Sequence, residues 1–462
     1  MVKALQQSVL LTTRPGLAVE KALPIAVSTS KGGNLAFFFL WLFTFAVFGR
    51  PEDIVSSINI LHLPMVLGIS AAALLVGALV SGTLRFRMPL ELATALLMTC
   101  WFILGVPFAY WHGGSAQVLM DIWFKTLLGF FLLTQTMTSV DRIKKIIWAI
   151  LLSELLSTSA SILLQGKGAE QVGARLSGVN QGLFGWNFLG IALSVTIPFI
   201  AMLFVSESSF LRRVILLATL GSSMWMLVLT ASRGGVVGVI FSIVLTWIYV
   251  LRGTSRGRIL SIVIALCMVL SVAKAPGVFF ARLQTLWNGD APTSNAETSS
   301  AEESTAERET LLRHAIGYTL KNPILGVGVG NFPVINGKQY GASGWYGTHN
   351  TFLQFSAETG IPGLLMFLFL LATMFKHAKK CAAIFAGVDE QARLLGRAAQ
   401  VSILSLIVAG FFAHIAYEYL IYYLAGITAG LWAVSIAYEK GSHNQIAGSD
   451  AIRAVPRPLG HA

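Results

Sequence analysis

Charge is what this sequence has least of. Only 12% of its 462 residues are Asp, Glu, Lys or Arg, about half the roughly 25% of a soluble domain. Hydrophobic residues make up 55%, and the mean hydropathy is +0.71. So few charges cannot cover so apolar an interior in water. That excludes a soluble globular domain, a disordered chain and a fibrous one, and leaves lipid as the cover. Cysteine is scarce too: Cys100 and Cys267 lie in apolar runs, and Cys381 follows Lys379 and Lys380. Neither a metal-type spacing nor a disulfide framework can be built from them. Acids are outnumbered by bases, 21 to 33, for a net charge of +12. No aromatic-plus-basic cluster of the single-strand-binding kind accompanies that excess, so no nucleic acid is expected. Basic loops that orient membrane helices and meet anionic membrane lipids account for it. Internal repeats of the transporter sort are also missing.

A bilayer core of about 30 Å takes roughly 20 apolar residues per helix. Residues 1–33 hold no such run and, with Lys3, Arg14, Lys21 and Lys31, read as a cytoplasmic N-terminal tail rather than a cleaved signal peptide. Apolar runs follow at 34–49, 59–81, 89–111, 119–138, 146–164, 183–205, 214–231, 234–251, 259–275, 351–375, 399–417 and 420–438. The expectation is an all-α polytopic membrane protein of about 12 transmembrane helices. Nine helices fall in 34–275 and three in 351–438, with a large periplasmic loop over 276–350 and a cytoplasmic tail over 439–462. Cations favour this orientation. Inner segments collect Arg85, Arg87, Arg142, Lys144, Lys145, Arg212, Arg213 and Arg252, whereas short outer loops hold Arg50, Lys167, Arg175 and Arg233. Both termini are then cytoplasmic.

Within the long outer segment, residues 289–310 carry six acids and one base without apolar periodicity, the pattern of a flexible acidic linker. Leu311, Leu312, Ala315, Ile316, Thr319 and Leu320 then predict an amphipathic helix, stopped at Asn322-Pro323. Its apolar face would lie on the bilayer or cap the bundle. Gly326, Gly328 and Gly330 lack the strand and helix of a nucleotide-binding loop and read as a turn with close backbone packing.

Candidate chemistry gathers on the outer face. Arg175, in Arg175-Leu-Ser-Gly178, precedes a span opening at Phe184-Gly-Trp-Asn187; Arg233 sits in Ser232-Arg233-Gly234-Gly235; Arg313 lies beside His314 on the amphipathic helix. Arginines on a face otherwise poor in cations fit a phosphate or pyrophosphate, whose oxygens a guanidinium fork matches. Lipid headgroups or acids of the outer loop are the alternative partners. His349, followed by Asn350, stands where the loop enters the membrane, and imidazole takes a proton near neutral pH. Glu358 is an acid inside an apolar span, where charge is costly unless paired; Gly360 and Gly363 permit close helix approach. Asp121 and Lys125, at i and i+4, read as a structural pair. His414 and Glu418, also i and i+4 near the outer end of one helix, stand amid tyrosines of an interfacial belt or a cleft wall.

The run His349-Asn350-x-x-Leu353-x-x-x-x-Glu358-x-Gly360-x-x-Gly363 resembles the signature of the O-antigen ligase/polymerase superfamily. Pro323-x-Leu325-Gly326-x-Gly328-x-Gly330-Asn331-Phe332 resembles the segment before it, and the Arg175 and Arg233 motifs resemble the two upstream ones. The resemblance implies a GT-C-type glycosyltransferase of the bacterial inner membrane with its active site facing the periplasm. The donor would be an undecaprenyl pyrophosphate-linked O-antigen and the acceptor lipid A-core oligosaccharide. Polymerases that extend the lipid-linked glycan share the signature, as do protein oligosaccharyltransferases. About 12 spans with one large loop look most like the ligase. A lipid-linked sugar transporter would show inverted halves with mid-membrane sites, whereas these residues crowd one face. By the same resemblance Arg175 and Arg233, with Arg313, hold the donor pyrophosphate, and His349 takes the proton of the attacking sugar hydroxyl, with inversion. Asn350, Glu358 and His314 support them. No cofactor, metal or ATP is expected.

Overall fold

The computed structural model describes residues 31–164, 171–172, 175–176, 188–276, 279–280, 296–341 and 345–453; side chains at 31–32, 56, 171–172, 175–176, 296–306 and 443–453 lie outside the description. The helices run in the order α1 (Lys31–Gly49), α2 (Pro51–Ile54), α3 (Leu63–Val80), α4 (Leu90–Gly105), α5 (His112–Val118), α6 (Phe124–Thr136), α7 (Val140–Leu163) and α8 (Leu189–Ser206). They continue with α9 (Phe210–Thr230), α10 (Arg233–Thr246), α11 (Ser255–Ala273), α12 (Ala296–Lys321), α13 (Phe332–Tyr340), α14 (Thr351–Ile384), α15 (Glu390–Gly410) and α16 (Tyr419–Arg453). Two-residue strands β1 (Gln171–Val172) and β2 (Arg175–Leu176) pair antiparallel.

Eleven of the described helical segments are long and apolar enough to cross a membrane, and α1 adds the shorter Gly33–Gly49. They follow the twelve expected runs in order, and the protein is a helical, polytopic membrane protein. The chain divides into a large unit, Thr29–Ser435, and a small one made of 1–28 and 436–462. The described part of the small unit, 436–453, is helical; the tail expected from 439 is therefore helix as far as Arg453. The expected tail 1–33 falls almost wholly outside the described residues.

In the large unit α8 is the central post. Every residue from Leu189 to Phe204 is buried, as a helix apolar all round requires. It packs on α9, α10 and α15. Contact with α10 depends on missing side chains: a Cβ at Gly190 would lie 2.2 Å from the Gly235 Cα. α3 and α11 are apolar yet mostly exposed, the pattern of helices that face lipid.

Two expectations are corrected. The acidic stretch read as a linker is helical from Ala296. Its Ala and Glu residues favour helix, and the buried Leu311, Ala315 and Tyr318 anchor its far end. The run 399–417 is not one helix. It ends at Gly410, and residues 411–418 form a loop. Side chains satisfy the loop backbone in place of helical bonds. Thr351 Oγ1 donates to the Ala413 carbonyl (2.7 Å) and accepts from Ile415 N–H (3.3 Å). Gln354 accepts from Ala416 N–H (3.1 Å), Tyr422 O–H donates to the Ala416 carbonyl (2.9 Å), and Thr126 donates to the Tyr417 carbonyl (3.1 Å). His414 and Glu418 therefore do not share a helix face. Asp121 and Lys125 pair as expected, at 3.7 Å.

α14 is broken at Gly360, with φ 72° and ψ −179°, a region open to glycine almost alone. Pro362 has no N–H for the Glu358 carbonyl four residues back. Gly328 N–H supplies that bond (3.0 Å), Val327 N–H reaches the Ala357 carbonyl (2.8 Å), and Ile361 N–H turns to the Pro323 carbonyl (2.8 Å). The glycine loop thus replaces a missing helical turn. A Cβ at Gly360 would sit 2.0 Å from the Ile324 carbonyl oxygen. Gly360→Ala is expected to destabilise the protein by about 2–4 kcal/mol, from backbone strain plus clash. Thermal unfolding of purified protein checks this against Gly77→Ala, where a Cβ meets nothing within 4 Å.

Candidate active site

His349 precedes the capping residue of α14. Asn350 caps that helix, its Oδ1 accepting from Phe352 N–H (2.9 Å) and Leu353 N–H (3.0 Å). Thr348 Oγ1 donates to the Asn350 carbonyl (2.8 Å) and accepts from Asn350 N–H (3.3 Å). Between these anchors His349 adopts φ 49°, a left-handed conformation uncommon outside glycine. Its ring stands edge-to-face with His414, centroids 5.1 Å apart. A Cβ on Gly347 would come within 2.6 Å of the His414 ring, so this approach requires glycine there. His414 also meets Phe188 edge-on at 5.9 Å, and its buried Nδ1 has no hydrogen-bond partner.

The pair is held uncharged. Burial, then His414, then Arg308 bring His349 down to about 3; burial, then Arg308, bring His414 down to about 4. An unfolded histidine titrates near 6.5. Below that value the unfolded chain binds more protons, so these rings cost stability as the pH falls from about 6.5 toward their folded values. At neutral pH both can accept a proton.

Glu358 does not act on this pair directly. It is 1% exposed and fastens three segments together. Oε2 accepts from Gly330 N–H (3.0 Å) and the Tyr417 hydroxyl (2.8 Å), and Oε1 accepts from Phe332 N–H (3.3 Å). The glycine loop, α14 and the loop carrying His414 are thereby locked together. Glu358→Ala leaves those donors unsatisfied and should cost about 3–5 kcal/mol. Tyr417→Phe removes one bond and should cost about 1 kcal/mol. Chemical unfolding of both variants in detergent tests the ranking; equal losses would deny Glu358 this fastening role.

The arginines separate. Arg233 opens α10, where Ser232 Oγ caps Gly235 N–H at 3.3 Å. A Cβ on the adjacent Gly234 would lie 2.5 Å from the Phe412 Cβ, so the start of α10 abuts the loop that carries His414. Arg175 falls on β2, whose side chains lie outside the described residues, as do Gly178 and the 184–187 opening. Arg313 binds Glu309 at 2.6 Å, with its side chain 76% exposed. His314 takes Asn336 Oδ1 at Nδ1 (2.7 Å) and stacks on Tyr340 at 3.8 Å; it belongs to the packing of α12 on α13.

Arg308 is the cation whose field reaches both histidines. In the sequence it stands as the lone base of an acidic stretch, with nothing local to mark it. Five residues separate it from Arg313, about 140° around a helix, so the two serve different sides of α12. The usable signal was the buried Leu311, Ala315 and Tyr318 stripe, extended one turn back. His414 lies in a run apolar enough to read as helix, but the structure carries it on the 411–418 loop.

No curated protein matches this chain. Residues 214–368 match the family model described as O-Antigen ligase. The stretch runs from α9 past Arg233, Arg308 and the glycine loop to His349, Glu358 and the break in α14. Over that stretch the chain is similar to the O-Antigen ligase family.

Proposed function

We propose that this protein is an O-antigen ligase. In this reading it is a GT-C-type glycosyltransferase of the inner membrane, and it transfers O-antigen polysaccharide from undecaprenyl pyrophosphate to a sugar hydroxyl of lipid A-core on the periplasmic face. The observation that carries it is the edge-to-face His349–His414 pair at the Asn350-capped start of α14, within the stretch similar to the O-Antigen ligase family. His349 takes the proton of the acceptor hydroxyl as its oxygen attacks the anomeric carbon. The bond to the pyrophosphate breaks, and the negative charge that develops there is met by guanidinium groups, a large source of transition-state stabilisation in a dry cleft. Arg233, Arg175 and Arg308 hold that pyrophosphate; Arg313 meets its outer side or neighbouring headgroups. An anion bound at Arg308 also offsets the field that suppresses His349, so donor binding makes the base stronger. Asn350 and Glu358 fix the geometry, and the departing pyrophosphate supplies the driving force without ATP.

The test is transfer by purified protein in EDTA and without ATP, with lipid-linked glycan as donor. Lipid A-core and a second lipid-linked glycan are offered together as acceptors. Glycan on lipid A-core is the expected product. Elongated lipid-linked glycan would make the protein a polymerase, and no transfer to either would remove the enzyme assignment.

A further inference from the structure

A cavity of about 480 Å³ opens at the same end of the bundle as His349, and none of His349, His414 or Arg308 lines it. Its position follows from contacts of α16. Tyr423 near the start of that helix touches Phe48 at the end of α1 (centroids 4.8 Å apart) and Thr44 (3.2 Å between hydroxyls). The end of α1 thus meets the start of α16, the helix into which the loop carrying His414 leads. The lining is graded. Glu52, Asn59, His62, Lys125 and Tyr419 supply polar groups, Glu52, Asn59 and His62 coming from the connection between α1 and α3. Phe43, Ile69 and Leu128 lie further along their helices and are apolar. Met65 and Ile69 also line it and are 60% and 59% exposed, so it opens toward the lipid-facing side of α3. A gradient along the helix axis, open sideways, suits an amphiphile lying parallel to the membrane lipids.

Two features specify the head. Glu52 Oε2 is buried and accepts no hydrogen bond, a costly state unless a donor arrives. Lys125 lines the same space, and its ion pair with Asp121 is a loose 3.7 Å. An ammonium carries three donors and binds oxyanions as a point charge, so Lys125 has capacity beyond Asp121. One wall presents an unpartnered carboxylate oxygen, and another offers a cation. We propose that this cavity binds a phospholipid whose head carries both a phosphate and a primary ammonium, the phosphate toward Lys125 and the ammonium toward Glu52. The chains leave along Phe43 and Ile69. The head is of the phosphoethanolamine class; a choline head has the same charges but no N–H to offer Glu52, and a glycerol head lacks the cation. The site stands apart from the transfer reading, and either can fail alone.

Native mass spectrometry of the delipidated protein in detergent tests it, with phosphatidylethanolamine, phosphatidylcholine and phosphatidylglycerol of equal chain length in competition. The ethanolamine lipid is expected to bind on the order of tenfold more tightly than the choline lipid, the worth of one charge-assisted hydrogen bond. Glu52→Gln should erase that preference, and Lys125→Leu should weaken both lipids. The wild-type competition needs no variant to fold. Equal retention of the three lipids, a preference for the glycerol lipid, or an ethanolamine preference unchanged in Glu52→Gln would each overturn the proposal.

Discussion

His349→Ala is expected to lower single-turnover transfer by roughly 10²- to 10⁴-fold, the usual worth of a general base, while donor binding stays within a few-fold of wild type. The split follows from geometry. His349 is assigned to the acceptor hydroxyl, and its removal leaves the pyrophosphate contacts in place. His349 also occupies φ 49°, so alanine inherits a strained backbone, and His349→Asn, whose side chain tolerates that region better, is the companion variant. Both should lose rate together. The pH profile adds a second signature. The free enzyme holds His349 at about 3, so the acid limb of kcat/KM should lie below the ordinary histidine range. With donor bound, the field of Arg308 is offset and the acid limb of kcat should move up in pH. A His349→Ala protein that transfers at the wild-type rate would leave the histidine a loop anchor and send the search for the base to His414.

Arg308 should behave in the opposite way. Arg308→Ala is expected to weaken donor binding and to slow transfer by roughly 10²- to 10³-fold, the scale of losing one preorganised donor to a developing oxyanion. Arg308→Lys keeps the charge but not the fork and should recover only part of the loss. The same substitution at Arg313, an exposed residue already paired with Glu309, should change transfer by less than about threefold, since exposed pairs of this kind contribute little. Isothermal titration with the lipid-linked donor, run beside transfer rates, distinguishes the two sides of α12. If Arg313→Ala were the damaging variant and Arg308→Ala the silent one, the placement of the donor would have to be reversed.

The sequence was legible where one physical rule dominates. Hydropathy alone marks the membrane helices, because a lipid-covered helix must be apolar over its full length. The order Arg233, glycine loop, His349, Glu358 was also legible, since each stands against its surroundings in charge or flexibility. Illegible were the features set by distant partners. Residues 411–418 are apolar enough to extend α15, and only Thr351, Gln354, Tyr422 and Thr126, far away in sequence, take their backbone groups out of helix. The role of Glu358 was hidden for the same reason. Measured along a single helix it is too far from His349 to assist, yet the glycine loop and Tyr417 meet it where α14 breaks. Arg308 was masked by composition, its acidic neighbours resembling a linker although their Ala and Glu content suits helix.

The central claim is a direct attack by the acceptor hydroxyl on the anomeric carbon, with His349 receiving the proton. It is tested most directly by the anomeric configuration of the bond made by the purified protein, read by NMR against the configuration of the same sugar in the lipid-linked donor. A single displacement predicts inversion; retention would require a covalent glycosyl-enzyme intermediate and would contradict the account.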